Sequence, residues 1–223
     1  MYETFYVLDL DRTLFDTVKA IELMKGVIKR HDGDLASRLE QRFEDYSISG
    51  ESFSMRDFIA ERVNDDEMAV IEAEYKKTAD EQDLLNPGAI ELLSYIRAAN
   101  GVGCGILTFG SDLGQKMKID AVPQLHDVPF LVTKQTHKGA QIAGWRGDDG
   151  RYNLPKELGG GVADTIVFVD DKPFSFDGIL DDCRGYLVKS VFDAGVDILP
   201  PTVVLVDSLY EVLSAERGLI DKP

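Results

Sequence analysis

The chain has 223 residues and a formal charge of −16, from 24 Lys and Arg against 40 Asp and Glu. That surplus excludes a phosphate backbone or an anionic membrane surface as the main partner, since both would repel it. With 44% hydrophobic and 29% charged residues, the composition is that of a folded globular protein and not a disordered one.

The first apolar run, at residues 5–10 (FYVLDL), is short and lacks alternation, as expected of a strand buried on both faces of a parallel sheet. Residues 16–86 contain no comparable run. They read instead as helices at 18–30, 35–46, 55–63 and 66–80. A crossover between parallel strands needs only one helix, so 16–86 is expected to be an inserted helical subdomain, with 1–15 and 87–223 forming the core. Between residues 32 and 83 this insert carries 6 basic and 16 acidic side chains, a net of −10, read as solvated outer faces. Phe43, Phe53 and Phe58 are expected to form its small core.

A helix at 87–100 opens with Pro-Gly, places Ile90, Leu93 and Ile96 on one face, and stops at Asn100-Gly101. Strands are predicted at 102–108 (VGCGILT), 129–133 (PFLVT), 165–170 (TIVFVD), 186–189 and 202–207 (TVVLVD), and a last helix at 208–217. Residues 146–151 read as a polar hairpin or turn. Trp145 is expected to pack with Ile142 against the sheet. Strands alternating with helices imply an α/β fold, a doubly wound parallel sheet with right-handed crossovers. Cys104 reads as buried packing, and neither it nor Cys183 lies in a CxxC, which fits a reducing compartment. No apolar run reaches the roughly 18 residues of a membrane span. The opening MYETFYVLDLDRT has no basic stretch followed by an apolar run and cleavage site, so a cytoplasmic location is expected.

The residues that end the strands carry the chemistry. Asp9-Leu10-Asp11 closes the first strand, Thr108 followed by Phe109, Gly110 and Ser111 the second, and Asp170-Asp171 the strand at 165–170. Ligands of open α/β sheets bind outside the carboxyl ends of the strands, so these groups should converge. Several carboxylates there would repel one another without a counter-ion, and a hard divalent cation, Mg²⁺ above all, answers that. Asp9 and Asp11 start on the same side of an extended chain. One can attack phosphorus while the other protonates the leaving oxygen. Thr13 is expected to hold the second carboxyl by a hydrogen bond. Thr108 and the backbone N–H groups after it can donate to phosphoryl oxygens, with Gly110 allowing close approach. Lys134 and Lys138, one helical turn apart, are the candidates for a fixed positive charge, with Lys156 a remote third and Lys172 turned to solvent. His31, His126 and His137 have no metal-ligand spacing.

Taken in order, DLDRTL, LTFGS, the lysine of KGAQI and VFVDDKP resemble the four motifs of the haloacid dehalogenase-like superfamily. The resemblance covers the core; the insert shares only the position of that family's helical cap. It implies that Asp9 is the nucleophile forming an aspartyl-phosphate. Asp11 would be the general acid–base and lend its backbone carbonyl to Mg²⁺. Thr108 would bind the phosphoryl group together with Phe109 and Gly110, and Lys138 would be the motif lysine, since Ile142 follows at the apolar position of its helix. Asp170 and Asp171 would supply the acidic end of the metal site, with the direct ligand left open between them. The second aspartate, absent from the dehalogenase branch, is similar to the phosphatase and phosphotransferase branch. VDDKPFSF also resembles the fourth motif of phosphatases that act on protein tails, which lack a large helical insert. The implied activity is Mg²⁺-dependent hydrolysis of a phosphate monoester of a small metabolite, with no nucleic-acid or membrane partner. A phosphotransferase with the same site and a non-catalytic binding protein that keeps the fold are the alternatives. A response-regulator receiver uses similar residues in a different chain order and has no such insert.

Overall fold

The computed structural model describes residues 1–49, 53–190 and 198–220. Strands β1 (Tyr2–Leu8), β2 (Val102–Phe109), β3 (Phe130–Thr133), β4 (Tyr152–Asn153), β5 (Val162–Asp170), β6 (Arg184–Val188) and β7 (Val203–Val206) form one sheet. Its order is β3-β2-β1-β5-β6-β7, with the short β4 paired antiparallel to β5. β1 pairs in parallel with both β2 and β5, and the β5-β6-β7 pairs are parallel too. The chain therefore winds outward from β1 twice, to β3 on one side and to β7 on the other. Such a reversal opens a crevice at the carboxyl ends of the strands beside it. Leu8 lies opposite Ile106 on β2 and Val169 on β5, so β1 and β5 finish within a residue of each other while β2 runs on to Phe109.

β1 is buried on both faces, which accounts for its lack of alternation. Phe5 and Val7 pack with Leu107, Ile142, Phe168 and Phe176. Trp145 packs against the same cluster. Tyr6 points the other way, toward helix α8 (Leu209–Ile220), where its hydroxyl donates to Glu216 at 2.7 Å. Glu216 is only 1% exposed, yet its carboxylate is fully engaged. It accepts from Tyr186 Oη at 2.7 Å and from Arg184 Nε and Nη2 at 3.0 and 2.9 Å. One carboxylate thus ties α8 to β1 and β6.

The chain divides into two compact units. One comprises Met1–Phe15, Leu85–Thr108 and Val128–Pro223; the other comprises Asp16–Leu84 and Phe109–Asp127. The second unit holds helices α1 (Thr17–Lys29), α2 (Gly33–Ser49), α3 (Met55–Ala60), α4 (Asp65–Ala79) and α6 (Asp112–Asp120), whereas α5 (Ala89–Ala98) and α7 (Lys138–Ala143) belong to the sheet unit. Asp16 caps α1 by accepting from the Lys19 N–H, and Asn64 with Glu67 forms a reciprocal capping box on α4. Ser54 and Ser111 cap α3 and α6, and their hydroxyls lie 3.2 Å apart, which draws α6 into the helical unit.

Several expectations need correction. Helix α6 and strand β4 were not legible in the sequence. α6 buries Gly114, Gln115 and Lys118 beside Ile119, so it has little apolar periodicity, and β4 is two residues long. β1 ends at Leu8, before the aspartates. The core of the helical unit is mainly aliphatic, with Met24, Ile28, Leu39, Ile59 and Ile71 buried together with Tyr75. Phe43, Phe53 and Phe58 are only half-buried and stack on one another at 6.2 and 5.9 Å. Cys104 is half-buried and Cys183 buried, both as free thiols. Among the described residues no helix is long and apolar enough to cross a membrane.

The Glu216 network generates a stability prediction. Burial alone would raise its pKa, but the bonds from Arg184, Tyr186 and Tyr6 outweigh that and hold it below the ordinary glutamate value. Because the folded pKa is depressed, the stabilisation is present above the unfolded value and is lost as pH falls through the folded one. Glu216→Leu is expected to cost about 3–5 kcal/mol at neutral pH, by leaving Arg184 and two phenols unmatched. Urea unfolding of both proteins should show the gap narrowing once the pH drops below the glutamate range.

Candidate active site

β1 hands the chain to the site with its ladder intact: Asp9 N donates to Val169 O at 2.9 Å, which sets Asp9 beside Asp170 at the end of β5. The chain then turns sharply. Arg12 N donates to Phe15 O at 2.9 Å and Phe15 N to Leu10 O at 2.8 Å. Within this loop Arg12 takes φ +63°, the one non-glycine residue in the left-handed region among those described. That conformation costs an L-residue about 1–2 kcal/mol, so surrounding contacts must enforce it.

Lys138 opens α7, and its side chain is 3% exposed. Its Nζ donates to Asp9 Oδ1 and, at 2.8 Å, to Asp170 Oδ2. Gly139 makes this reach possible. A Cβ there would lie 2.8 Å from Phe176 O and 2.9 Å from Asp177 O, in the turn that follows Asp170-Asp171. Only a residue without a side chain lets α7 sit that close and deliver Lys138 to the strand ends. Asp170 Oδ1 is also occupied, accepting from Lys172 N at 2.8 Å.

Asp171 stands apart. It is 1% exposed, and neither carboxylate oxygen has a hydrogen-bond partner among the described residues. One oxygen each of Asp9, Asp170 and Asp171 fall within 4.8 Å of one another. Three buried carboxylates thus face one buried ammonium. Burial pushes Asp9 up to about 6 despite the pull of Lys138, with Asp170 and Asp11 adding to the rise. Burial, then Asp170 and Asp9, push Asp171 well above the carboxylate range. For Lys138 burial acts against the charge, but Asp170 and Asp9 overcome it and keep the ammonium protonated. An oxygen-only donor set with excess negative charge and two orphaned oxygens on Asp171 fits a hard divalent cation.

Thr108, at the end of β2, is fully buried and its hydroxyl has no partner among the described residues. The same holds for Thr13, so the expected bond from Thr13 to Asp11 is not made. The left-handed turn at Arg12 breaks the two-residue alternation that would have set the two side chains together. Asp11 itself is half-buried and bridges to Phe15. Phe109 and Gly110 fall with the helical unit, where Gln115 Nε2 donates to Phe109 O at 2.8 Å and a Cβ at Gly110 would meet that amide at 2.7 Å. Lys134 and Lys156 are exposed, and Lys172 is half-buried near the Phe174 ring. His31 pairs with Glu74, His126 with the Asp120 carbonyl and His137 with Asp177, in line with surface roles. Gly139 was not legible in the sequence, because a Gly after a lysine carries no signal of close packing.

No protein-family model matches the chain, and no curated protein matches it in sequence. Its structure is similar to solved ones. A structure described as a haloacid dehalogenase-like hydrolase from Burkholderia xenovorans LB400 aligns with TM-score 0.62 at 16% identity, over 96% of this chain and 98% of that one. One described as a β-phosphoglucomutase from Thermotoga maritima aligns with TM-score 0.56 at 16% identity, covering 98% and 100%. CbbY from Rhodobacter sphaeroides, in complex with phosphate, aligns with TM-score 0.55 at 16% identity, covering 95% and 96%.

Three expected outcomes follow from this geometry. Without divalent cations, Asp171→Asn should be more stable than the wild type by about 1–2 kcal/mol at neutral pH, because folding holds the Asp171 carboxyl protonated well above its unfolded pKa, a cost the amide does not carry. Added MgCl₂ should raise the Tm of the wild type and leave that of the variant in place, as read by thermal unfolding. Gly139→Ala should cost about 1–3 kcal/mol in urea unfolding, since the new methyl meets backbone carbonyls that cannot swing away.

Proposed function

We propose that this chain, which has the fold of the haloacid dehalogenase-like hydrolases, is a Mg²⁺-dependent phosphatase acting on a small phosphorylated metabolite through a phosphoaspartate on Asp9. The observation that carries this reading is the buried set Asp9, Lys138 and Asp170 at the carboxyl ends of β1 and β5, with Asp171 beside it and unsatisfied. The CbbY structures, solved with phosphate and with a xylulose bisphosphate, support a phosphorylated small molecule as the class of ligand.

In this reading an Asp9 carboxylate oxygen attacks phosphorus and the bond from phosphorus to the ester oxygen breaks. Asp11 gives the leaving oxygen its proton. Asp11, now a carboxylate, takes a proton from water, whose oxygen attacks the phosphoaspartate; phosphate leaves and Asp9 is regenerated. Lys138 keeps Asp9 in the charged, nucleophilic form and shares the phosphoryl charge. The Thr108 hydroxyl, without a partner among the described residues, donates to a phosphoryl oxygen, and the backbone at Phe109 and Gly110 is assigned the same task. The cation would be held by Asp9, the Asp11 carbonyl and the Asp170-Asp171 pair, of which Asp171 has both oxygens open among the described residues. When bound, it would offset the negative charge of the phosphoryl group and the carboxylates. Residues 16–86 would serve as the cap that selects the substrate.

The test is release of p-nitrophenol from p-nitrophenyl phosphate with Mg²⁺ and with EDTA. Turnover should require the metal and fall at least about 10³-fold in Asp9→Asn. Turnover that survives both changes, or a wild type that neither turns over nor captures beryllofluoride at Asp9, would overturn the reading. Product that shifts to an added alcohol acceptor would make the enzyme a phosphotransferase.

A further inference from the structure

Asn86 lies outside every motif, yet it holds three consecutive carbonyls of the loop that carries Asp9 and Asp11. Its side-chain Nδ2 donates to Arg12 O at 2.8 Å and to Thr13 O at 2.9 Å, and its backbone N–H donates to Leu14 O at 2.8 Å. Each of the two amide hydrogens therefore has its own carbonyl. With Arg12 N on Phe15 O and Phe15 N on Leu10 O, the carbonyls of Leu10, Arg12, Thr13, Leu14 and Phe15 are all bound. Because a peptide group is planar, fixing these carbonyls fixes the peptide planes on either side of Thr13. The left-handed turn at Arg12 is the conformation that this clamp enforces.

Asn86 is itself rigidly placed. Leu85 bridges to Phe15, Pro87 keeps Asn86 out of the helical region, and Ala89 N donates back to Asn86 O at 3.1 Å. Gly88 takes φ +90° and lies so close to α8 that a Cβ would sit 2.8 Å from Tyr210 N. The amide is thus presented from a backbone that cannot follow the loop if the loop shifts. We infer that Asn86 is a positioning residue for the reaction proposed above, holding the 10–15 loop so that Asp11 stays aligned with Asp9. The inference rests on the phosphatase reading and goes beyond it.

Asn86→Asp keeps the shape but places an acceptor against two carbonyl oxygens, and Asn86→Ala removes the donor altogether. With p-nitrophenyl phosphate and Mg²⁺, both are expected to lower kcat by about 10–100-fold, with KM held within about two-fold. Asn86→Ser, which keeps a single donor, should fall between Asn86→Ala and the wild type. A merely structural role would lower the folded fraction and leave kcat per folded molecule unchanged, so beryllofluoride capture at Asp9, read by ¹⁹F NMR, serves as the count of competent molecules. Should Asn86→Asp fail to fold, Ala and Ser carry the comparison. An unchanged kcat per competent molecule in these variants overturns the inference while the wild-type activity leaves the phosphatase reading standing. A wild type that neither turns over nor captures beryllofluoride overturns both.

Discussion

The ammonium of Lys138 is the constraint around which this site is arranged. Two carboxylates at the ends of adjacent parallel strands, Asp9 and Asp170, would repel each other in a buried setting, and a shared cation offsets that repulsion. That single group makes demands on distant parts of the chain. The register of β1 against β5 must bring the strand ends level, α7 must begin at Lys138, and Gly139 must admit the helix to the turn after Asp171. A buried ion cluster of this kind is weak evidence for stability, because desolvation costs roughly what the attraction returns. Its presence is better explained by chemistry.

Two acidic residues make the same point by contrast. Glu216 and Asp171 are each 1% exposed. Glu216 accepts four hydrogen bonds, from two tyrosines and an arginine, and binds the last helix to the sheet. Asp171 has none on either oxygen among the described residues. Equal burial with opposite hydrogen-bond accounting separates a carboxylate satisfied within the fold from one whose oxygens are left open.

The loop from Leu10 to Phe15 follows the same logic in the backbone. It departs from strand geometry directly after Asp9, and a non-glycine residue enters the left-handed region within it. Hydrogen bonds within the loop and from Asn86 over-determine that conformation, which is how strained backbone persists at a functional site.

Much was legible from local pattern alone. Short apolar runs located β1, β2, β3, β5, β6 and β7 to within a few residues, helical spacing located most helices, and the residues ending the strands named Asp9, Thr108, Asp170 and Asp171. Periodicity reports which neighbours along the chain share a face, so it carries these features well. It is silent where an element is too short or too polar to repeat, as in β4 and α6. It cannot choose between Lys134 and Lys138, rank Asp170 against Asp171, or find Asn86 or Gly139. Those distinctions live in contacts between residues 129, 32 and 74 positions apart, and in the distance between two backbones. The sequence by itself determined that acidic groups and a threonine stand at the ends of parallel strands. Only the tertiary structure decided which lysine reaches them and which carboxylate it leaves open, because that depends on how closely separate elements pack.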